Sequence, residues 1–167
     1  MNINIRGELY DLSSSKVMGI LNLTPDSFYD GGKYNNVEDI SNQISKMVDD
    51  GLDILDIGGY SSRPGAKKIS SDEEKSRVLP VLKNIKKKFP QLVISIDTFR
   101  SEIAEACLIE GADIINDISS GIMDKEMMRT ISKFNCPYIM MHMLGNPQNM
   151  QDSPKYKDVV IEVIKFL

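Results

Sequence analysis

A chain of 167 residues, 41% hydrophobic and 26% charged, is long enough for one domain with a real core and has neither a disordered nor a fibrous composition. Its formal net charge of −4 gives no basic footprint for nucleic acid, so an anionic ligand has to be held by local groups. Cys107 and Cys136 form no CxxC and read as reduced core thiols; no stretch approaches the roughly 18 apolar residues of a membrane span, and MNINIRGELY carries no signal-peptide pattern. A cytoplasmic protein without nucleic-acid or membrane partners is expected.

Residues 3–12, INIRGELYDL, alternate around Gly7 as a short hairpin does, and residues 1–14 are assigned to it as a plug beneath the main domain. A first buried strand is predicted over 17–23. It delivers Asn22 and breaks at Pro25 into a loop in which Thr24, Asp26, Ser27 and Asp30 supply oxygen atoms and Phe28 and Tyr29 aromatic faces. Val37, Ile40, Ile44, Met47 and Val48 mark a helix that Asn36 caps and Gly51 ends. A second strand over 53–59 leads to the loop YSSRPGAKK. A helix then starts at Ser71, read as a capping box with Glu74, and runs to Phe89 with a kink or break at Pro80. Three further units follow: strand 92–98 with a helix over 101–110, strand 112–117 with a helix through Met127 to Phe134, and strand 137–143 with a last helix from near Tyr156.

Repeated strand–helix units with buried strands predict a parallel α/β sheet, either doubly wound or a (β/α)8 barrel. No GxGxxG follows the first strand, which weakens the dinucleotide-binding open sheet. Polar residues end every strand: Asn22, Asp56, Asp97, Asn116 with Asp117, and His142. A barrel brings such positions to one mouth, so the expected fold is a partial barrel of about five units after an N-terminal hairpin, forming one domain over 1–167. The residues suggest chemistry but leave structural alternatives open. Asn22 is a hard oxygen ligand for Mg²⁺ or a partner for loop backbone. Asp97 is a costly charge after an apolar run, and Asn116 offers the donor and acceptor that a heterocycle edge also presents. Asp56 reads first as a structural partner for a loop backbone, and the lone His142 is balanced between structure and catalysis. Ser61, Ser62 and Arg63 before Pro64-Gly65 could hold phosphate oxygens.

The stretches MGILNLTPDSFYDGG, DILDIGGYSSRPGA, ISIDT, GADIINDISSG and IMMHMLGNPQNMQ resemble, in order and spacing, the dihydropteroate synthase family. The resemblance runs from about Val17 to the last residue. It implies a TIM barrel that joins p-aminobenzoate to a dihydropterin diphosphate, releases pyrophosphate in folate biosynthesis, and is a sulfonamide target. It further implies Mg²⁺ on Asn22, and pterin or diphosphate contacts from Ser62, Asp97, Asn116 and Met141. Thr24, Phe28, Arg63 and Pro64 fall in loops that shape the aminobenzoate pocket, Tyr60 replaces a frequent Glu, and a homodimer is carried for a full-length version. No protein nucleophile is expected. A barrel of eight units takes about 250 residues, and the family's later Asp, Lys and Arg-x-His motifs are not found here. The expectation is therefore the N-terminal part of such a barrel, inactive by itself, ending inside the helix VVIEVIKFL. A non-catalytic pterin-binding half-barrel remains an alternative. So does a methyltetrahydrofolate:corrinoid methyltransferase relative, which the TPDSFYDGG and SSRPG loops disfavour.

Overall fold

A computed structural model describes residues 1–24, 37–61 and 67–167. An antiparallel hairpin comes first, β1 (Asn2–Ile5) with β2 (Glu8–Asp11). Then β3 (Met18–Asn22), β4 (Ile54–Gly58), β5 (Val93–Asp97), β6 (Ile114–Asp117) and β7 (Tyr138–Met140) form one parallel sheet in chain order. The helices α1 (Val37–Asp49), α2 (Ser71–Lys88), α3 (Ser101–Ile109) and α4 (Met127–Phe134) connect successive strands, and α5 (Val159–Phe166) follows β7. Sequential order with a helix after each strand is the β/α-barrel arrangement expected from the sequence. None of the described helices is long and apolar enough to cross a membrane.

Strand alternation gives the sheet two unlike faces. Leu21, Leu55, Ile57, Ile94, Ile96 and Ile115 point to the helices and form the main core with Ile44, Val78, Leu82, Ile85, Ile103, Cys107 and Met127. The other face is built in rows by the parallel register. Met18, Ile54 and Val93 form the lowest row; Ile20, Asp56, Ser95 and Ile114 the middle one. The upper row is Asn22, Gly58, Asp97, Asn116 and Ile139.

The hairpin closes the lower end, as expected of a plug. Ile5 packs on Ile54, Val93 and Ile114, with Ile3, Tyr10 and Met18 around them. Arg6 fixes it there: Nε donates to Asp113 Oδ1 at 2.6 Å, Nη2 to Asp113 Oδ2 at 2.8 Å, and the same guanidinium reaches the carbonyls of Pro90 and Leu92.

Three local expectations need correction. The α2 cap is Ser70, whose side chain accepts from Glu73 N at 3.1 Å; Ser71 is the first helical residue and Glu74 is not part of a capping box. Pro80 does not break α2, which is continuous over Ser71–Lys88. Pro80 and Ser76, whose carbonyl loses its partner, both lie on the exposed side, where solvent satisfies that oxygen. The last helix starts at Val159, later than expected, because Asp158 caps it by accepting from Ile161 N at 3.0 Å.

Asp113 has a nearly buried side chain, 2% exposed, and beyond Arg6 its other cationic neighbour is Lys86 at 3.7 Å. Removing Arg6 leaves that carboxylate the Ile94 N–H, at 2.9 Å, and the more distant Lys86. Arg6→Ala is expected to cost about 2–4 kcal/mol in a denaturant melt. A loss under about 0.5 kcal/mol would mean that Ile5 packing alone docks the hairpin.

Candidate functional site

The upper row gathers three of the residues singled out from sequence. Asn22, Asp97 and Asn116 are the terminal or penultimate residues of β3, β5 and β6, and the register aligns them through Gly58. Gly58 keeps the gap between two of them open: a methyl group there would sit 3.3 Å from Asn22 Oδ1 and 3.4 Å from Asp97 Oδ2. An amide oxygen and a carboxylate therefore converge over a residue without a side chain.

Asp56 lies in the middle of β4 and not at its end, one row below. Its Oδ2 accepts from Asn116 Nδ2 at 3.0 Å, so its partner is a side-chain amide and not the loop backbone expected for it. This bond orients Asn116. With one N–H of the NH₂ group engaged below, Oδ1 is left to a ligand as an acceptor, beside the second N–H. Asp56 Oδ1 and Ser95 Oγ, both buried and from residues paired in the register, have no partner among the described residues apart from each other. Burial pushes the Asp56 carboxyl above its ordinary range, opposed first by the Ser95 hydroxyl beside it and then by the bond from Asn116. Asp97 is pushed up to about 7, first by burial and then by the negative charges of Asp56, Glu74 and Asp117. The row thus offers acceptors and little positive charge, which suits a ligand edge rich in N–H donors.

Asp117 does not join this site. Neighbouring residues in a strand face opposite ways, so Asn116 points inward and Asp117 outward. There Asp117 accepts from Ser119 N and Oγ at 2.7 and 2.8 Å, Gly121 N at 2.8 Å and Tyr138 Oη at 2.6 Å, which makes it the organiser of the β6–α4 turn. Burial and that carboxylate raise the Tyr138 phenol. His142 also stays apart: β7 stops at Met140, and the imidazole packs against Phe166 and Tyr156, with ring centres 4.6 and 5.6 Å away. Met141 is half-buried just beyond β7, its carbonyl accepting from Ser120 Oγ at 2.9 Å. Thr24 is buried two residues past Asn22, after Leu23 N has donated to Gly58 O at 2.7 Å. Phe28, Ser62, Arg63 and Pro64 lie outside the described residues.

The cysteines are free thiols. Burial pushes Cys107 up to about 12 and raises Cys136, which keeps both from acting as thiolates. Tyr60, in the position where a Glu was noted as frequent, is buried and meets Phe99 edge to face at 5.1 Å. The residue missed from sequence is Glu74. It is fully buried behind the β4 and β5 ends and bonds Thr98, the neighbour of Asp97. Its position on the same helical stripe as Val78, Val81, Leu82 and Ile85 was the available signal.

The chain is similar to known proteins over nearly its whole length. A family model described as pterin binding enzyme matches residues 18–167. The chain is 42% identical over 166 residues to the dihydropteroate synthase of Escherichia coli (strain K12), covering 99% of this chain and 58% of that protein. It is 44% identical over 168 residues to a mitochondrial folate synthesis bifunctional protein of Arabidopsis thaliana, covering 98% of this chain and 30% of that one. Among solved structures, a Yersinia pestis dihydropteroate synthase in a sulfonamide drug complex superposes with a TM-score of 0.89 at 40% identity, over 99% of this chain and 60% of that one. A Xanthomonas albilineans dihydropteroate synthase with 4-aminobenzoic acid gives 0.84 at 37%, over 99% and 57%. The chain thus spans between 30% and 58% of these two curated relatives. A family model covering nearly every residue, and the pattern of acceptors at the strand ends, lead to one conclusion: the chain belongs to the pterin-binding enzyme family.

Proposed function

We propose that this chain carries the pterin-diphosphate side of a dihydropteroate synthase. In that reaction the amine of p-aminobenzoate attacks the methylene carbon of 6-hydroxymethyl-dihydropterin diphosphate. A C–N bond forms, the C–O bond to the diphosphate breaks, pyrophosphate departs, and the amine loses a proton. The observation that carries the reading is the row Asn22–Gly58–Asp97–Asn116, with the Asn116 amide oriented by Asp56. Asp97 and Asn116 Oδ1 are acceptors side by side, which complement the ring N–H and amino donors of a pterin. The names of the sulfonamide and 4-aminobenzoic acid complexes among the structural relatives support the second substrate. The chemistry asks the protein for position and electrostatics, not for a nucleophile.

Mg²⁺ is the proposed ion, with Asn22 as its protein ligand. Among the described residues no three His, Cys, Asp or Glu side chains cluster as a cage. A lone amide oxygen fits an ion that takes its other ligands from water and from a bound diphosphate, as Mg²⁺ does. When bound it offsets the charge that develops on the departing pyrophosphate. The SRPG segment is expected to meet the same diphosphate through Ser62 and Arg63. The cytoplasmic location belongs with this reading, and cell fractionation checks it, since one relative is named as mitochondrial.

Calorimetry with the dihydropterin diphosphate tests the ion and the ring together. Asn22→Ala is expected to lower the Mg²⁺-dependent affinity about tenfold or more and leave the metal-free affinity unchanged. An unchanged Mg²⁺-dependent affinity in the variant would remove Asn22 from the site.

Substitution of Phe28 or Pro64 is expected to weaken p-aminobenzoate and sulfonamide binding by about fivefold or more, with less effect on the pterin. A larger effect on the pterin would reverse the assignment of those loops.

Asp97 ties stability to pH. Its folded value near 7 lies above the unfolded value, so the folded state holds the proton more tightly, and stability falls as pH rises between about 4 and 7. Asp97→Asn, melted in the presence of a chelator, is expected to stabilise the unliganded chain by about 2–4 kcal/mol near pH 8 and by little near pH 4. The same variant is expected to lose about tenfold or more in pterin affinity. Wild-type affinity should decline below about pH 7, where the carboxylate acquires its proton. A variant without the high-pH gain would show that the carboxylate is better solvated than its burial implies.

A further inference from the structure

Behind the site stands a buried ion pair that the proposed chemistry does not use. Glu74 Oε1 accepts from Thr98 Oγ1 at 2.7 Å, and Oε2 is bonded to Arg100 Nη1. Arg100 Nη2 donates to Ile69 O at 2.8 Å, and the guanidinium lies over the rings of Tyr60 and Phe99, 5.2 and 5.0 Å from their centres. Tyr60 and Ile69 are the two described flanks of the β4–α2 connection. One guanidinium therefore touches both flanks, and Glu74 holds it in place. The seat beneath the first flank is equally tight. Arg77 Nη1 donates to Gly59 O at 3.0 Å, and a methyl group on Gly59 would come within 2.6 Å of Val78 Cγ2 and 3.2 Å of the Glu74 carbonyl. Thr98, which Glu74 grips on its other side, directly follows Asp97 and donates its N–H to Asn116 O at 3.0 Å. A buried pair of this kind is a weak source of net stability, because desolvation offsets much of the attraction, but each partner becomes costly once the other is gone. Its value here is geometric.

We propose that Glu74 is a positioning residue: acting through Arg100, it fixes both flanks of the β4–α2 connection relative to the Asp97 row and so governs affinity for the anionic part of the ligand more than for its ring. The selectivity for the anionic part rests on the function proposed above, since it is the connection's sequence that carries the diphosphate expectation. The fixing of the flanks does not.

The experiment measures hydrogen exchange at residues 59–61 and 67–70 of the full chain, in wild type, Glu74→Gln and Arg100→Lys. Affinities for 6-hydroxymethyl-dihydropterin and for its diphosphate are measured alongside. Glu74→Gln keeps the shape and a bond to Thr98 but drops the charge; exchange at both flanks is expected to rise about tenfold or more, with β6 and α3 unchanged. Arg100→Lys keeps the ion pair but loses the fork, so the rise is expected at the Ile69 flank alone. The diphosphate is expected to bind about fivefold or more weakly in Glu74→Gln, and the ring-only ligand as in wild type. If Glu74→Gln fails to fold, Arg100→Lys carries the test. Unchanged exchange at the flanks, or equal loss of the two ligands, overturns the proposal. Faster flank exchange with a wild-type chain that binds neither ligand upholds the anchoring and overturns instead the function proposed for the site.

Discussion

In-register parallel pairing is the constraint on which the rest of this structure depends. The pairs Asn22 with Gly58, Gly58 with Asp97 and Asp97 with Asn116 set one row, and the alternation of each strand sends the residues between to the helices. A slip of one residue in β5 would replace Asp97 in the row by Ile96, which is fully buried, and would turn the carboxylate into the main core. The outer core therefore protects the site as well as the fold. Leu55, Ile57, Ile94, Ile96 and Ile115 are each 0% exposed, and a slip of one residue would turn them away from the helices.

The two faces treat charge differently. On the helix side, Glu74 has Thr98 and Arg100, and Asp117 has two backbone N–H groups and two hydroxyls. On the inner side, Asp56 has the Asn116 amide on one oxygen and only the Ser95 hydroxyl beside the other, and the Asp97 carboxyl is raised by burial and by like charges. Buried polar groups in folded proteins are nearly always satisfied, so incomplete satisfaction confined to one face separates the carboxylates kept for a ligand from those kept for the fold.

Much of this was legible in the sequence because strands and helices obey different periods. The apolar runs gave the strands, the helical stripes the outer layer, and the polar strand ends the row containing Asn22, Asp97 and Asn116. What stayed hidden depended on direction and on neighbours. Asn116 and Asp117 are adjacent letters with opposite orientations, and only a fixed strand phase separates them. His142 looked like a strand-end residue until β7 proved to stop at Met140. Glu74 was readable as the third residue after a Ser, and the pattern that would have corrected this was its place on the buried stripe of α2. The cap is Ser70, one residue before the serine expected from the sequence. Pro80 was overruled by tertiary packing: Val78, Val81, Leu82 and Ile85 bury one side of α2 and hold the helix together across a single missing bond.

The contacts of Arg6 also bear on the order in which the chain assembles. Its partners Pro90, Leu92 and Asp113 lie 84, 86 and 107 positions downstream. The hairpin has local pairing of its own, but its docking surface does not exist until β5 and β6 have been made and brought together. During synthesis the hairpin must therefore wait until residue 113 has followed it, and its docking comes after the strands it seals. Ile54, Val93 and Ile114, which the hairpin covers, stay open to solvent through that interval. A segment without chemistry of its own thus decides how long the growing sheet keeps an apolar end uncovered.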